Sequence, residues 1–147
     1  MIGESCLLDT NILVYASDKD SPFHQKAKEI RDKANKGEIK ACITPQILSE
    51  FYSAVTNPKN KNSISPAQAK KEIENYLEAT AILKIFIKET TTRRMIELAS
   101  EYGIRSQNIY DLQLVATMLD NGDRKIYTAN DKDFKVFKEI EVINPFK

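Results

Sequence analysis

The sequence predicts an α/β fold whose sheet is mostly parallel and covered by helices on both faces. Three observations carry that prediction. Short apolar runs of strand length alternate with longer segments of helical period. Residues that start and stop helices fall between those segments. No repeat, low-complexity stretch or interdomain linker interrupts the alternation, so residues 1–147 are expected to form a single domain.

The elements follow in order. Cys6–Leu8 is the first apolar run. Ser21-Pro22 has the form of a helix N-cap followed by proline at the first helical position, and Gly37 closes that helix. Residues 39–43 form the second strand, and Thr44-Pro45 repeats the capping device. On the helix that follows, Ile47, Leu48, Phe51 and Val55 make the apolar stripe and Glu50 borders it. A polar loop at 57–63 leads to Ser65-Pro66, where Gln68 completes a capping box. Strand 82–87 precedes a helix over 91–102 that Gly103 ends. The next helix, 109–121, ends at Gly122; its stripe is Ile109, Leu112, Val115, Ala116 and Leu119, with Asp111 at the border. Leu114 and Met118 lie opposite that stripe, so the helix is expected to be buried on more than one side, with a second copy of the chain or a segment of another protein as candidates to cover the second. Strands 125–128 and Glu141–Ile143 complete the sheet.

Composition narrows the function classes. With 22 basic and 21 acidic residues the formal charge is +1, so no global field attracts nucleic acid and any such contact must be local. No apolar stretch approaches the roughly 20 residues of a membrane span, and the opening residues lack the charged segment of a secretory signal. Cys6 and Cys42 have no metal-ligand spacing and sit in apolar runs, as expected of buried thiols in a reducing cytoplasm, with a disulfide between them as the alternative.

In open parallel sheets, ligands bind beyond the carboxyl ends of the strands. The first strand ends in Asp9, then Thr10 and Asn11; the fourth runs into Thr128-Ala129-Asn130-Asp131-Lys132-Asp133. Glu50 lies two turns along the second-strand helix, and Asp111 at its helix's third position if Asn108 caps it. Singly, each acid has an ordinary explanation as a cap, a turn residue or a solvated helix position. Four of them converging on one sheet edge repel one another unless a cation neutralises them. All-oxygen ligands select Mg²⁺ or Mn²⁺.

Four segments together resemble the successive signature blocks of the PIN-domain family: LLDTNILVYA at 7–16, ITPQILSEFYSAVTNP at 43–58, IYDLQLVATMLDNG at 109–122 and IYTANDKDF at 126–134. Within it the chain is most similar to the VapC-like toxins of toxin–antitoxin pairs. The resemblance implies a Rossmann-like three-layer α/β/α domain with a five-stranded parallel sheet of order 3-2-1-4-5. It also implies a metal-dependent endoribonuclease whose catalytic, metal-binding acids include Asp9, Glu50 and Asp111. Asn130, Asp131 and Asp133 all fall in the fourth block; Asp131 is favoured as the fourth ligand, with Thr10, Asn11, Asn130 and Asp133 in support. The implied partners are RNA, a cognate antitoxin protein and a second copy of the chain, and the implied products carry 5′-phosphate and 3′-hydroxyl ends.

Lys59, Lys61 and Arg105 flank the acid-bearing blocks and are the candidate RNA contacts, while Lys70 and Lys71 read as a solvated helix face. Tyr15, Tyr52 and Tyr110 are candidates for stacking a base, with packing as the commoner use. The single histidine, His24, reads as a surface residue, which disfavours cleavage through a histidine acid–base pair. A phosphorelay receiver would need an aspartate after the third strand, where Lys88-Glu89-Thr90 stands; a haloacid-dehalogenase-type phosphatase would need a second aspartate at Asn11. The remaining alternative is a non-catalytic scaffold that binds RNA or protein.

Overall fold

The computed structural model of the chain describes residues 5–147. The leader-free start expected above rests partly on residues 1–4, outside the described residues. The order is β1 (Cys6–Leu8), α1 (Thr10–Ser17), α2 (His24–Asn35), β2 (Ala41–Ile43), α3 (Pro45–Thr56), α4 (Pro66–Glu78) and β3 (Ile82–Lys84). Then come α5 (Glu89–Tyr102), a 3₁₀ turn (Ser106–Asn108), α6 (Ile109–Asp120), β4 (Lys125–Tyr127), α7 (Asp131–Phe134) and β5 (Glu141–Ile143).

All five strands are parallel, in the order β3-β2-β1-β4-β5. The chain builds outward from β1 to β3, then crosses back to lay β4 on the other side of β1. Right-handed crossovers therefore put α1–α4 on one face and α5–α6 on the other. The contacts divide the helices the same way: α1 packs on α2 and α3, α3 on α4, and α5 on α6. Between the sheet and these layers lies a continuous core that includes Leu7, Ile12, Ile43, Phe51, Leu112 and Ile126.

Local chemistry explains most boundaries. Thr44 accepts a hydrogen bond from Ile47 N–H, with Pro45 at the first helical position. Ser65 and Gln68 form a reciprocal capping box on α4. Gly37, Gly103 and Gly122 adopt positive φ at helix ends, as expected of C-terminal stops. Ser21-Pro22 does not cap α2: Ser21 Oγ accepts from Phe23 N–H in a turn, and the helix begins at His24. Asn108 precedes α6 without a side-chain cap bond because the 3₁₀ turn already bonds that end, though Asp111 does hold the third position.

One further expectation is corrected, and the reading of the two cysteines as buried free thiols holds. Leu114 and Met118 are 3% and 0% exposed, so α5 and the sheet cover α6 on both sides with no outside partner. Cys6 pairs with Ala41 and Leu7 with Cys42 in the parallel register, so the two cysteines point to opposite faces and form no disulfide. The Cys42 thiol donates to Asp123 (3.4 Å), and burial and that carboxylate push its pKa up. No helix among the described residues is long and apolar enough to cross a membrane.

Candidate active site

The strand order reverses between β1 and β4, which opens a crevice at their carboxyl ends. Leu8 and Tyr127 are register partners, and Asp9 N–H donates to the Tyr127 carbonyl, so the residues that follow both strands face each other. Asp9 is 6% exposed yet is held as a hydrogen-bonded acceptor. Its Oδ1 accepts from Thr10 N–H (2.8 Å), which caps α1; its Oδ2 accepts from the Thr128 hydroxyl (2.7 Å) and from Asn11 Nδ2 (3.2 Å). Asn11 also reaches Thr128 (3.3 Å), and its Oδ1 accepts from Ala129 N–H (2.9 Å). Thr10 thus holds Asp9 through its N–H and Asn11 through its side-chain amide, while the Thr10 hydroxyl turns to Glu50. Burial raises the Asp9 pKa, these hydrogen bonds oppose the rise, and the charge of Asp133 adds to it.

Glu50 reaches the same crevice from α3. Its Oε1 accepts from the Thr10 hydroxyl (3.4 Å) and from Gln46 Nε2 (3.3 Å). Burial first, then the charge of Asp9, raises its pKa. Asp111 faces the group from the first turn of α6 and is pushed up to about 6, chiefly by burial and then by the charges of Asp133, Asp9 and Glu50. The electrostatics therefore join Asp9, Glu50, Asp111 and Asp133 into one set of mutually repelling acids.

Asp131, the acid favoured from the sequence as the fourth ligand, is paired with other groups. Its Oδ1 accepts from Asn144 Nδ2 (3.0 Å), and its Oδ2 is paired with Lys135 and Lys147, each at 3.1 Å. The Asn144 hydrogen bond and the two ammonium groups hold its carboxyl well below the usual range. The reason is local. Asp131 opens α7, and the first helical turn rotates it toward β5 and the segment after it, whereas Asp133, two positions on, is exposed on the other side. Asn130 is exposed and contributes its N–H to Thr128 Oγ1 (2.9 Å).

Gln46, like Thr128 and Gln113, was not singled out from the sequence. Gln46 donates to Glu50 and to the Tyr110 carbonyl (3.4 Å), and its Oε1 accepts from Gln113 (2.6 Å), which ties α3 to α6 across the crevice. Its i, i+4 spacing to Glu50 was the available signal. Among the other candidates, Tyr15 packs against Phe23 and Phe146, while Tyr110 is 60% exposed beside Asp111. Lys59 and Lys61 sit in the loop after α3, and Arg105 is exposed just before the 3₁₀ turn. Lys70 pairs with Glu74 on the surface of α4, as a solvated face would. His24 Nδ1 lies 2.9 Å from the Tyr15 carbonyl, outside the crevice.

Among the described residues, no three His, Cys, Asp or Glu side chains stand in a metal-holding arrangement. The donor chemistry nonetheless fits a hard divalent cation: four carboxylates converge, and the ammonium groups of this region pair with Asp131.

Residues 6–140 match the family model described as PIN domain. The chain is 25% identical over 139 residues to Ribonuclease VapC48 of Mycobacterium tuberculosis, covering 94% of this chain and 95% of that protein. It is 24% identical over 139 residues to VapC ribonuclease Mb2897 of Mycobacterium bovis, covering 94% and 93%. Two solved structures share the fold. Mycobacterium tuberculosis VapC20, described as a sarcin-ricin loop cleaving toxin, superposes with TM-score 0.68 at 14% identity, over 92% of this chain and 98% of that one. VapBC2 of Rickettsia felis, bound to a DNA fragment from its promoter, superposes with TM-score 0.65 at 22% identity, over 95% and 98%.

Proposed function

The chain belongs to the PIN-domain family, and from that premise we propose that it is a Mg²⁺- or Mn²⁺-dependent endoribonuclease, the toxin of a toxin–antitoxin pair. The observation that carries the reading is the convergence of Asp9, Glu50, Asp111 and Asp133 on one crevice, with Asp111 pushed up to about 6 by burial and its acidic neighbours. A binding scaffold has no use for such repulsion. The names of the relatives, VapC ribonucleases over more than nine-tenths of both chains, support the same reaction, and a fold neighbour described as a toxin-antitoxin complex from Klebsiella pneumoniae supports a protein partner of that kind. Residues 1–147 act as one nuclease unit in this reading, a second copy is a further partner, and the cytoplasm is the site of action.

Asp9, Glu50, Asp111 and Asp133 would hold the cation; Asp133 takes the fourth position in place of Asp131. A bound Mg²⁺ or Mn²⁺ supplies a water of lowered pKa and charge stabilisation at the phosphate. The protein's own part is positional. Thr10, Asn11 and Thr128 fix both oxygens of Asp9 and keep its carboxylate aimed from the strand end. Gln46 fixes Glu50 relative to α6. Membership of the family implies hydrolysis by water with release of the 3′-oxygen, giving 5′-phosphate and 3′-hydroxyl ends.

The test is cleavage of single-stranded RNA by the purified chain with Mg²⁺ or Mn²⁺ and with EDTA, followed by analysis of product ends. Cleavage that needs the cation and is abolished by Asp9→Asn is expected. Full cleavage in EDTA, or by the variant, would contradict the assignment.

A further inference from the structure

The cavity at the far end of the α1–α3 seam lies along the helix faces that carry Thr10 and Glu50. On α1, Thr10 and Val14 stand four apart on one face, and Asp18 follows the helix end; on α3, Glu50 and Ala54 share a face in the same way. Thr10 meets Glu50 at one end of the seam, and Val14, Asp18 and Ala54 line a cavity of about 360 Å³ at the other. At about 1.5 Å per residue, Val14 and Ala54 lie about 6 Å beyond Thr10 and Glu50 along their helices.

The wall opposite α1 is the loop after α3, which contributes Lys59, Lys61 and Asn62. That loop is polar but firmly held. Asn60 Nδ2 donates to the Ala54 carbonyl (2.7 Å), Ile64 N–H to the Val55 carbonyl (2.8 Å), and Asn62 Nδ2 to Asp18 Oδ1 (3.2 Å). Asp18, the one acid of the cavity, is occupied by Asn62 and by Asp20 N–H. Lys59 and Lys61 are exposed and take part in no ion pair among the described residues. The result is a fixed groove with a small apolar floor, in which the ammonium groups of Lys59 and Lys61 outnumber the single carboxylate of Asp18.

The geometry points to this groove as a subsite for the RNA strand beside the scissile phosphate, with Lys59 and Lys61 on backbone phosphates. The inference rests on the ribonuclease reading above and adds the path of the substrate. It makes Lys59 and Lys61 determinants of RNA affinity, while Arg105 lies on a different segment, before the 3₁₀ turn.

The experiment uses a 5′-fluorescein-labelled single-stranded 12-mer RNA as probe. Cleavage kinetics are measured on the active chain, and binding by anisotropy across a salt series in the Asp9→Asn background. Lys59→Glu/Lys61→Glu is expected to raise KM at least fivefold with kcat within twofold. It should also flatten the salt dependence of binding by about 1.4, since each phosphate contact on a single strand contributes roughly 0.7 to the slope. Ala54→Leu, which narrows the floor at unchanged charge, should raise KM similarly. Lys36→Glu, at the end of α2 and outside the groove, should do neither. If the wild type cleaves RNA but the lysine variant keeps its KM and salt slope, the subsite is wrong and the ribonuclease reading stands. A lysine effect with Ala54→Leu silent overturns the groove in favour of diffuse attraction. Absence of both cleavage by the wild type and binding by Asp9→Asn overturns the ribonuclease reading itself, and the subsite with it.

Discussion

The hydroxyl of Thr128, the residue after β4, donates a 2.7 Å hydrogen bond to Oδ2 of Asp9, the residue after β1. This bond crosses the point where the strand order reverses, so it joins the two halves of the sheet at the acid crevice. Thr128 is fully buried, and its oxygen also accepts from Asn130 N–H. Thr128→Val keeps the shape and removes the donor. A hydrogen bond to a charged group contributes about 1.5–3 kcal/mol, so the variant should lose about that much stability by urea unfolding, together with most RNA cleavage. Thr128→Ser should restore both. Unchanged stability and cleavage in Thr128→Val would contradict the role given to the pair.

Asp131 and Asp133 are two residues apart and should behave oppositely. Asp133→Asn removes a charge from the acid set, so Mn²⁺ affinity measured by calorimetry should fall by at least about tenfold, in the range of lost metal-site partners, without loss of melting temperature. Asp131→Asn keeps an acceptor for Asn144 but loses the pairs with Lys135 and Lys147. It should lower the melting temperature and leave Mn²⁺ affinity within threefold. The reverse pattern would return Asp131 to the metal site.

The sequence alone does not separate Asp131 from Asp133, and the reason is physical. Strand ends, proline-led helix starts and glycine stops are set by neighbours in the chain, so β1, α3, α4 and the first three acids were legible from residue spacing. Asp131 and Asp133 sit on one short turn of α7, and which of them faces the crevice depends on Asn144 and Lys147, remote partners with no local signature. The same reason hid the burial of Leu114 and Met118: their periodicity showed an apolar face, but only the packing of α5 shows that the chain covers it itself. Ser21 failed as a cap because its hydroxyl was taken by a turn two residues long.

Gln46 touches Glu50 and bridges to α6, so its loss should act on the reaction more than on the fold. Gln46→Ala is expected to lower kcat about three- to tenfold, the equivalent of roughly 0.7–1.4 kcal/mol, with KM for RNA unchanged. Gln113→Ala should give a smaller effect of the same kind, and the double variant less than the sum, as expected of groups in one network. An effect confined to KM, or strict additivity, would place Gln46 on the substrate instead.

The acid set also fixes the sign of the pH response. Asp111 is raised from 3.8 to about 6, so between those values the native state binds more protons than the unfolded chain and stability falls as pH rises. Its favourable contribution is full below 3.8 and lost as pH climbs through about 6. Asp9 and Glu50 shift in the same direction. The Asp131 carboxyl is depressed, so its contribution is present above 3.8 and is lost only in stronger acid. In EDTA, the melting-temperature advantage of Asp111→Asn over wild type should therefore be present at pH 7 and shrink at pH 5. A difference independent of pH would show that Asp111 carries no unfavourable charge in the fold.

The most direct test of a cation site built from mutually repelling acids is thermal melting at pH 7, in EDTA and then in Mn²⁺. The wild type should gain roughly 2.7 kcal/mol at a hundredfold excess of Mn²⁺ over its dissociation constant. Asp111→Asn should melt about 2–5 °C above wild type in EDTA, on a scale of 2–4 °C per kcal/mol, and gain little from Mn²⁺. Glu29→Gln, an exposed change on α2, should match the wild type throughout. If Asp111→Asn melts below wild type in EDTA and keeps the full Mn²⁺ increment, Asp111 is a residue of helix structure and the cation site lies elsewhere.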